Sequence, residues 1–518
     1  MLNLPIKWLK TVELSAENIE ITIDDIDLLV AEWDAWAKVT SRHLVVRTNC
    51  RDIDVSDSIT QFLRFNADVG NNYSYQRLSG VAAVDSAGRT DGANAINLPP
   101  IPGAANANVW GGSLFLVPHA FNAVNHKTVL ALGGSGEFTV EIVAGRWASA
   151  AAITSVTIIE GVGDEMMVGS TVSIGVIDES YLVEEILDAG GGTFDNIPQG
   201  EGDLAAIGYL RSARAAVVED EIICAINDDT VAAHYPTQEL VGRGAARTAA
   251  QPNFEAGLVT AAAATANTFG ALAMVISQFT KNNQPHILSQ SGYHETSGPT
   301  GEVRVMSGRR DNIEPVNKLY IAGSNFDDFA AGSLLSLYRV PKRIIERFVL
   351  TEDTAAITFD NIPQNFEDLI LHIYARTDVA AVADAIDITI SGDGVAANYT
   401  NQYIRGAVAG VLAGRLPNDN TWINTVGNNE AAAEFSGGSL LFPGYAKTDR
   451  HKHAFLIVGR NENYAIIRSC RWMSLNAITS IMLAPNVGNN FLAGCVFELE
   501  GILRREGLPP SEGEQWGV

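Results

Sequence analysis

Any chemistry in this chain would have to come from its histidines, cysteines, paired carboxylates or tyrosines. His294 lies in Tyr293-His294-Glu295-Thr296, which lacks the second histidine that a helical zinc motif places one turn on. His451-Lys452-His453 has donors for a metal or an anion, but it matches a polar turn, His126-Lys127, elsewhere in the chain and reads as that turn. Cys50, Cys224, Cys470 and Cys495 are widely scattered with no Cys-x-x-Cys, which argues against a disulfide scaffold and fits a reducing site of folding. Asn66-Ala67-Asp68-Val69-Gly70-Asn71-Asn72 looks like a calcium loop but lacks the spaced carboxylates and closing glutamate. A hairpin turn uses the same residues, because Asn and Gly tolerate positive φ. Gly133-Gly134-Ser135-Gly136 and Gly190-Gly191-Gly192 lack the Lys-Ser/Thr of a phosphate loop. Asp228-Asp229 and Asp327-Asp328 fall in turns, where solvation accounts for them better than glycoside hydrolysis does. Tyr73, Tyr75, Tyr235, Tyr399 and Tyr403 remain as candidate contacts, stacking on a glycan or serving as core or interface residues. The expectation is therefore no catalytic residue, no metal and no cofactor.

The elements that carry these residues repeat. Phe194-Asp195-Asn196-Ile197-Pro198-Gln199 recurs as Phe359-Asp360-Asn361-Ile362-Pro363-Gln364, and Trp33-Asp34-Ala35-Trp36 reads as a degenerate first copy. About 40 residues later each copy has an Asn/Asp/Gly turn that leads into Tyr73, Tyr235 or Tyr399. Gly112-Ser113-Leu114-Phe115, Gly270-Ala271-Leu272-Ala273 and Gly438-Ser439-Leu440-Leu441 form a third block. The closing block sets Ile153-Thr154-Ser155-Val156 with Gly169, Val316-Asn317-Lys318-Leu319 with Gly332, and Ile478-Thr479-Ser480-Ile481 with Gly494. Four ordered blocks in three copies make the chain a tandem triplet.

Within a copy, apolar and polar residues alternate over short runs such as Asp387-Ile388-Thr389-Ile390-Ser391, separated by Gly, Asn, Asp and Pro clusters. Helical periodicity is scarce. The predicted fold is all-β: three tandem jelly-roll-like β-sandwich domains at 26–180, 181–343 and 344–505, after a short N-terminal segment (1–25) and before an extended C-terminal arm (506–518). Linkers are expected at 180–192 and 341–352, a loop leading into a strand across Ala256–Thr280, and an insertion in the first copy at Thr90–Asn108.

With 518 residues, 47% hydrophobic and only 18% charged, the chain can bury large cores. Its net charge of −25 opposes binding to nucleic acid. The uncharged Ala256–Thr280 stretch is too rich in Thr and Asn to insert in a membrane, and the N-terminal residues do not read as a secretory signal.

Phe-Asp-Asn-Ile-Pro-Gln near the start of a copy, the turn Asp68 to Ser74, and the close from Ile478 to Gly494 resemble jelly-roll modules of tailed-bacteriophage virion proteins. The resemblance spans roughly Ile26 to Leu503. It implies a non-enzymatic structural protein of the virion, tail-associated (fibre or baseplate), with head decoration or receptor and glycan binding as alternatives. The implied partners are other virion proteins and copies of itself, as a homotrimer, together with host surface polysaccharide. Production in the host cytoplasm follows from the same resemblance.

Overall fold

The computed structural model describes residues 4–502 except 106, 137, 162, 188–190, 201, 253–254, 281–283, 295–300, 327, 341, 408–409, 431–433 and 461–463. The arm expected at 506–518 lies outside the described residues, as do Asp327, Glu295 and Gly190.

The first repeat runs β1 (Ile6–Glu13), β2 (Glu20–Ile23), α1 (Ile26–Ala37), β3 (Leu44–Asn49), β4 (Ile59–Phe65), β5 (Tyr73–Val81) and β6 (Val84–Ala93). It continues with β7 (Ile96–Ile101), β8 (Gly112–Val117), β9 (Lys127–Gly134), β10 (Thr139–Trp147), β11 (Val156–Glu160) and β12 (Thr171–Ile177). Eight strands form one antiparallel sheet in the order β1-β12-β3-β8-β9-β10-β5-β6, and four form the facing sheet, β2-β11-β4-β7. Without β1, β12 and the β9–β10 hairpin, the layers β3-β8-β5-β6 and β2-β11-β4-β7 are those of a jelly roll. The second and third repeats, which begin at Leu182–Leu187 and Ile344–Val349, reproduce both strand orders. The all-β triplet is the observed fold.

Several boundaries move. Residues 1–25 do not form a separate segment: β1 pairs with β12 and β2 with β11, so both belong to the first sandwich. The expected linkers likewise hold the edge strands Leu182–Leu187 and Ile344–Val349, which leaves 178–181 and 341–343 as the joins. Thr90–Asn108 is no insertion, because β7 has counterparts in Glu255–Thr260 and Thr421–Val426. The first of these counterparts also replaces the loop expected within Ala256–Thr280. What the first repeat adds is α1, seated by Ile26, Val30 and Trp33 on one helical face. Trp33-Asp34-Ala35-Trp36 is therefore not a copy of Phe194-Asp195; Ile23-Asp24, at the end of β2, takes that place.

The inner faces of the eight-stranded sheets pack on the four-stranded sheets as three separate cores. Their outer faces meet in a fourth core shared by all three repeats, with Leu78, Leu132 and Ile142 from the first, Leu240, Val303 and Val305 from the second, and Ile404, Ile457 and Ile467 from the third. The repeats thus surround a pseudo-threefold axis inside one chain. Equivalent glycines bring the β5-type strands close around it: a Cβ on Gly80 would lie 3.0 Å from the Tyr403 carbonyl, one on Gly242 2.8 Å from Leu78 Cβ, and one on Gly406 2.5 Å from the Glu239 carbonyl. Each glycine faces a different repeat, so the contacts run once round the ring.

Gly406→Ala is expected to destabilise the protein by about 1–3 kcal/mol, because backbone must shift to admit the methyl group. Gly80→Ala, with more room, should cost less. Urea unfolding of the two variants, read from the midpoints at unchanged slope, checks the order.

Candidate functional site: the seams between repeats

The five tyrosines do not form one site. Tyr73, Tyr235 and Tyr399 are fully buried, and each closes the turn that precedes it. The hydroxyl of Tyr399 accepts from Ile390 N–H at 2.9 Å and donates to the Asp393 carbonyl at 2.6 Å; Tyr235 does the same with Ile226 at 2.8 Å and Asp229 at 2.9 Å. In the first copy Phe65 N–H donates to Tyr73 at 3.0 Å. The loop that looked suited to calcium is part of this latch. Burial raises the Asp68 carboxyl, but hydrogen bonds from Trp147, Asn72 and Gly70 outweigh it and hold the group below its usual range. Asp393 is held in the same way by Trp472 and Asn398. Arg310 takes the tryptophan's part on Asp229. Tyr75 is buried in the first core, which leaves Tyr403, half-buried, as the one tyrosine of the five with exposed surface. Burial therefore removes four of them as glycan contacts.

The repeated closing glycine and the polar turn before each β9-type strand meet at the seams instead. Gly169, Gly332 and Gly494 have φ of 87°, 85° and 96°, a backbone region that favours glycine. A Cβ on each would lie 3.4 Å from Trp110, 3.1 Å from Phe269 and 3.0 Å from Phe435 respectively. Tyr209 stacks on Phe269, and Tyr374 on Phe435, both at 4.6 Å. The Tyr209 hydroxyl donates to the His126 carbonyl of the first repeat, and the Tyr374 hydroxyl to the Gln284 carbonyl of the second at 3.0 Å. The first repeat has Asn49 in the tyrosine's place. There Arg450 of the third repeat lies 3.7 Å over the Trp110 ring. Backbone bonds follow the same sense, His126 N–H to Asn267 at 3.1 Å and His451 N–H to Asn108 at 2.9 Å. The ring therefore closes through one motif used at successive seams.

The seam between the third and first repeats lacks a covalent join; like the other two, which hold Arg247 with Asp85, and Arg309 with Glu434 at 2.7 Å, it carries charge pairs. Arg47, buried, bonds Asp368 and Glu367, the latter at 2.9 Å, and Lys447 reaches Glu13 at 3.3 Å. Both joins and both ends of the described chain converge on a cavity of about 210 Å3 lined by Leu4, Asp178, Lys342, Arg343 and Ile502. Beside it Lys342 bridges Asp203 at 2.9 Å and Glu498.

This chemistry binds repeats to one another. Burial pushes the Cys50 thiol up to about 11 and those of Cys224, Cys470 and Cys495 to about 12, which keeps them protonated and unreactive. Among the described residues no three His, Cys, Asp or Glu side chains come together in a way that could hold a metal ion. The sequence signal for the seams was present in the regular spacing of Gly169, Gly332 and Gly494, but spacing alone does not say that Arg450 of the third repeat approaches Gly169 and Asn125 of the first approaches Gly332.

Each seam also buries a histidine. His43 bonds Ser336 of the second repeat at 3.4 Å, His286 faces Gly437 of the third, and His453 lies within the field of Arg47 of the first. Burial lowers them to about 3, 4 and 3. The unfolded chain, near 6.5, takes up these protons first, so this part of stability is complete above pH 6.5 and is lost as pH falls toward 4. Glu141, Glu179 and Glu255, raised to about 7 by burial, act in the opposite direction, and comparing a variant with the parent cancels them. Between pH 6.5 and about 4, unfolding free energy of His286→Asn should change less steeply than that of the parent, by up to about 1.4 kcal/mol per pH unit. Equal slopes in denaturant titrations would show that His286 is protonated in the fold.

No family model matches the chain, and no curated protein matches it. Among solved structures, domains LG4-5 of the mouse laminin alpha1 chain align at 12% identity over 64% of this chain and 91% of that one, with a TM-score of 0.15. A xylan β-1,4-xylosidase from Bacillus halodurans aligns at 6% identity over 76% of this chain and 85% of that one, with a TM-score of 0.16. At these scores neither likeness bears on fold or function.

Proposed function

We propose that the chain is a non-enzymatic structural protein of a tailed-bacteriophage virion, a tail-associated component that assembles with other virion proteins as a preformed three-module block. The observation that carries this reading is the closed ring. Its three sandwiches share one apolar core, and ionisable groups such as Asp393, Arg47 and Lys342 are engaged in latches and seams. A trimer of separate chains would have to assemble by mass action, whereas fused repeats are already together at high effective concentration. The threefold contacts expected between copies are thus made within one chain, and the four-stranded sheets are left as outward faces for neighbours. The charge of −25 suits an outer position away from packaged DNA.

The isolated protein is expected to sediment at its single-chain mass of 55.4 kDa. Gold-labelled antibody against it should mark the tail of purified particles. Label on the capsid would move the assignment to head decoration, and absence of the chain from washed particles would end it.

A further inference from the structure

The three repeats share a scaffold but differ sharply at one place, the inner face of the β5-type strand where it meets the β10-type strand. In the first repeat Arg77 faces the buried Glu141 at 3.8 Å. The second reverses the charges: Glu239 meets the buried Arg304 at 2.9 Å, joined by Glu255 at 2.9 Å and Glu302 at 2.7 Å. In the third repeat Tyr403 stands where Arg77 and Glu239 do, and Arg405 follows it on the same face. The Arg405 guanidinium lies 5.8 Å from the Tyr403 ring centre and 5.2 Å from that of Tyr464. Its Nε is buried without a partner, and among the described residues the Arg405 side chain makes no hydrogen bond or ion pair. That is anomalous in a chain with 60 acidic and 35 basic residues. The neighbouring Arg468 is occupied, donating to the Thr421 carbonyl at 2.7 Å and to Asn401 at 3.3 Å.

The surroundings suit a ligand. Gly414 lies opposite Tyr403, where a Cβ would come within 2.6 Å of the phenol oxygen, so only glycine lets the ring lie across that strand. Leu412, 48% exposed, pairs with Arg405 across the same two strands. Tyr403, Arg405 and Tyr464 are all half-buried. The guanidinium lies over two tyrosine rings while its donors remain unused, a ready receptor for a carboxylate.

We propose that this shelf on the third repeat binds an acidic saccharide, with the carboxylate of a uronate on Arg405 and the sugar face against Tyr403, Tyr464 and Leu412. The guanidinium of Arg405 beside the aromatic rings suits a carboxylate carried on a sugar ring, and Arg468, 5.5 Å from the Tyr403 ring centre, adds positive charge to the shelf. The proposal does not depend on where the protein sits in a particle.

Calorimetry of the full chain with a galacturonate hexasaccharide should show saturable binding, with maltohexaose giving none. Arg405→Gln should weaken binding by on the order of tenfold or more, and Arg405→Lys, which keeps charge but not the planar fork, by less. Lys10→Gln, on an exposed edge strand, should bind as the parent does. Because Arg405 loses only its contacts over the Tyr403 and Tyr464 rings, both variants should unfold close to the parent's midpoint, and Arg405→Lys serves if Arg405→Gln does not fold. No uptake of the hexasaccharide at millimolar concentration, or binding that Arg405→Gln and Arg405→Lys leave unchanged, would overturn the proposal. So would equal, Arg405-dependent binding of poly-glutamate, which would identify an acidic protein partner instead.

Discussion

The eight-stranded sheet is apolar on both faces, and a single sandwich can cover only one of them. In β8, Phe115 and Val117 enter the first repeat's own core while Leu114 and Leu116 enter the shared one. The same division separates Val129 and Ala131 from Leu130 and Leu132 in β9. One repeat alone would leave a continuous apolar face in water, and each large aliphatic side chain left exposed forgoes roughly 1.5–3 kcal/mol. Three copies around an axis solve this for one another. The ring is thus a condition for the repeat to be a stable soluble unit, and the tandem arrangement supplies it within one polypeptide.

Closing a ring of three demands that the last unit meet the first without a tether. Two seams gain from short joins of three or four residues, which keep neighbours together regardless of how well they fit. The third must rely on its contacts. There the aromatic pair is replaced by Arg450 over Trp110, and Arg47 is inserted between Asp368 and Glu367. Buried charge pairs contribute little net stability against apolar packing of equal volume, but they penalise misregistered docking, since a shifted seam would strand Arg47 without its carboxylates. Specificity of docking is the physical role of such ions, and the tethered seams carry them as well, with Arg309 on Glu434 and Lys342 on Glu498.

Much of this was legible in the sequence, and what was not has a definite cause. Alternation in Asp387–Ser391 marks a half-buried strand, and the spacing of Tyr73, Tyr235 and Tyr399 marks three copies. The runs Leu44-Val45-Val46 and Leu114-Phe115-Leu116-Val117 do not alternate, which is the mark of a strand buried on both faces, and they carried the ring in plain view. The tyrosines' burial was not legible from residue type, because a phenol satisfied by backbone looks the same as one awaiting a ligand. The discriminating signal is the constant step of eight or nine residues from Phe65, Ile226 and Ile390 at each strand end to its tyrosine. Helix α1 was missed because Trp33 and Trp36 imitate the Phe-Asp block at nearly the right offset, although Ile26, Val30 and Trp33 have helical spacing. Arg405 gave no sign at all: an unpaired arginine is defined by what surrounds it, and its surroundings come from strands some 60 residues apart in the chain.

Fusion also changes what the three positions are permitted to become. In a trimer of identical chains any substitution appears three times, so a feature that clashes at one seam or shelf clashes at all of them. Within one chain the copies are free to differ. Arg77 with Glu141 and Glu239 with Arg304 exchange charges across the same pair of strands, and the third repeat abandons the pair for Tyr403 and Arg405. Exchange of the charges between two copies means that the scaffold needs a matched pair there only where both members are present. In the third repeat Tyr403 and Ile466 take the two places of the pair, and Arg405 enters where the other copies have Ser79 and Val241. The buried tyrosine latches and the shared apolar core, by contrast, persist in all three copies, because every repeat depends on the ring to bury its second face.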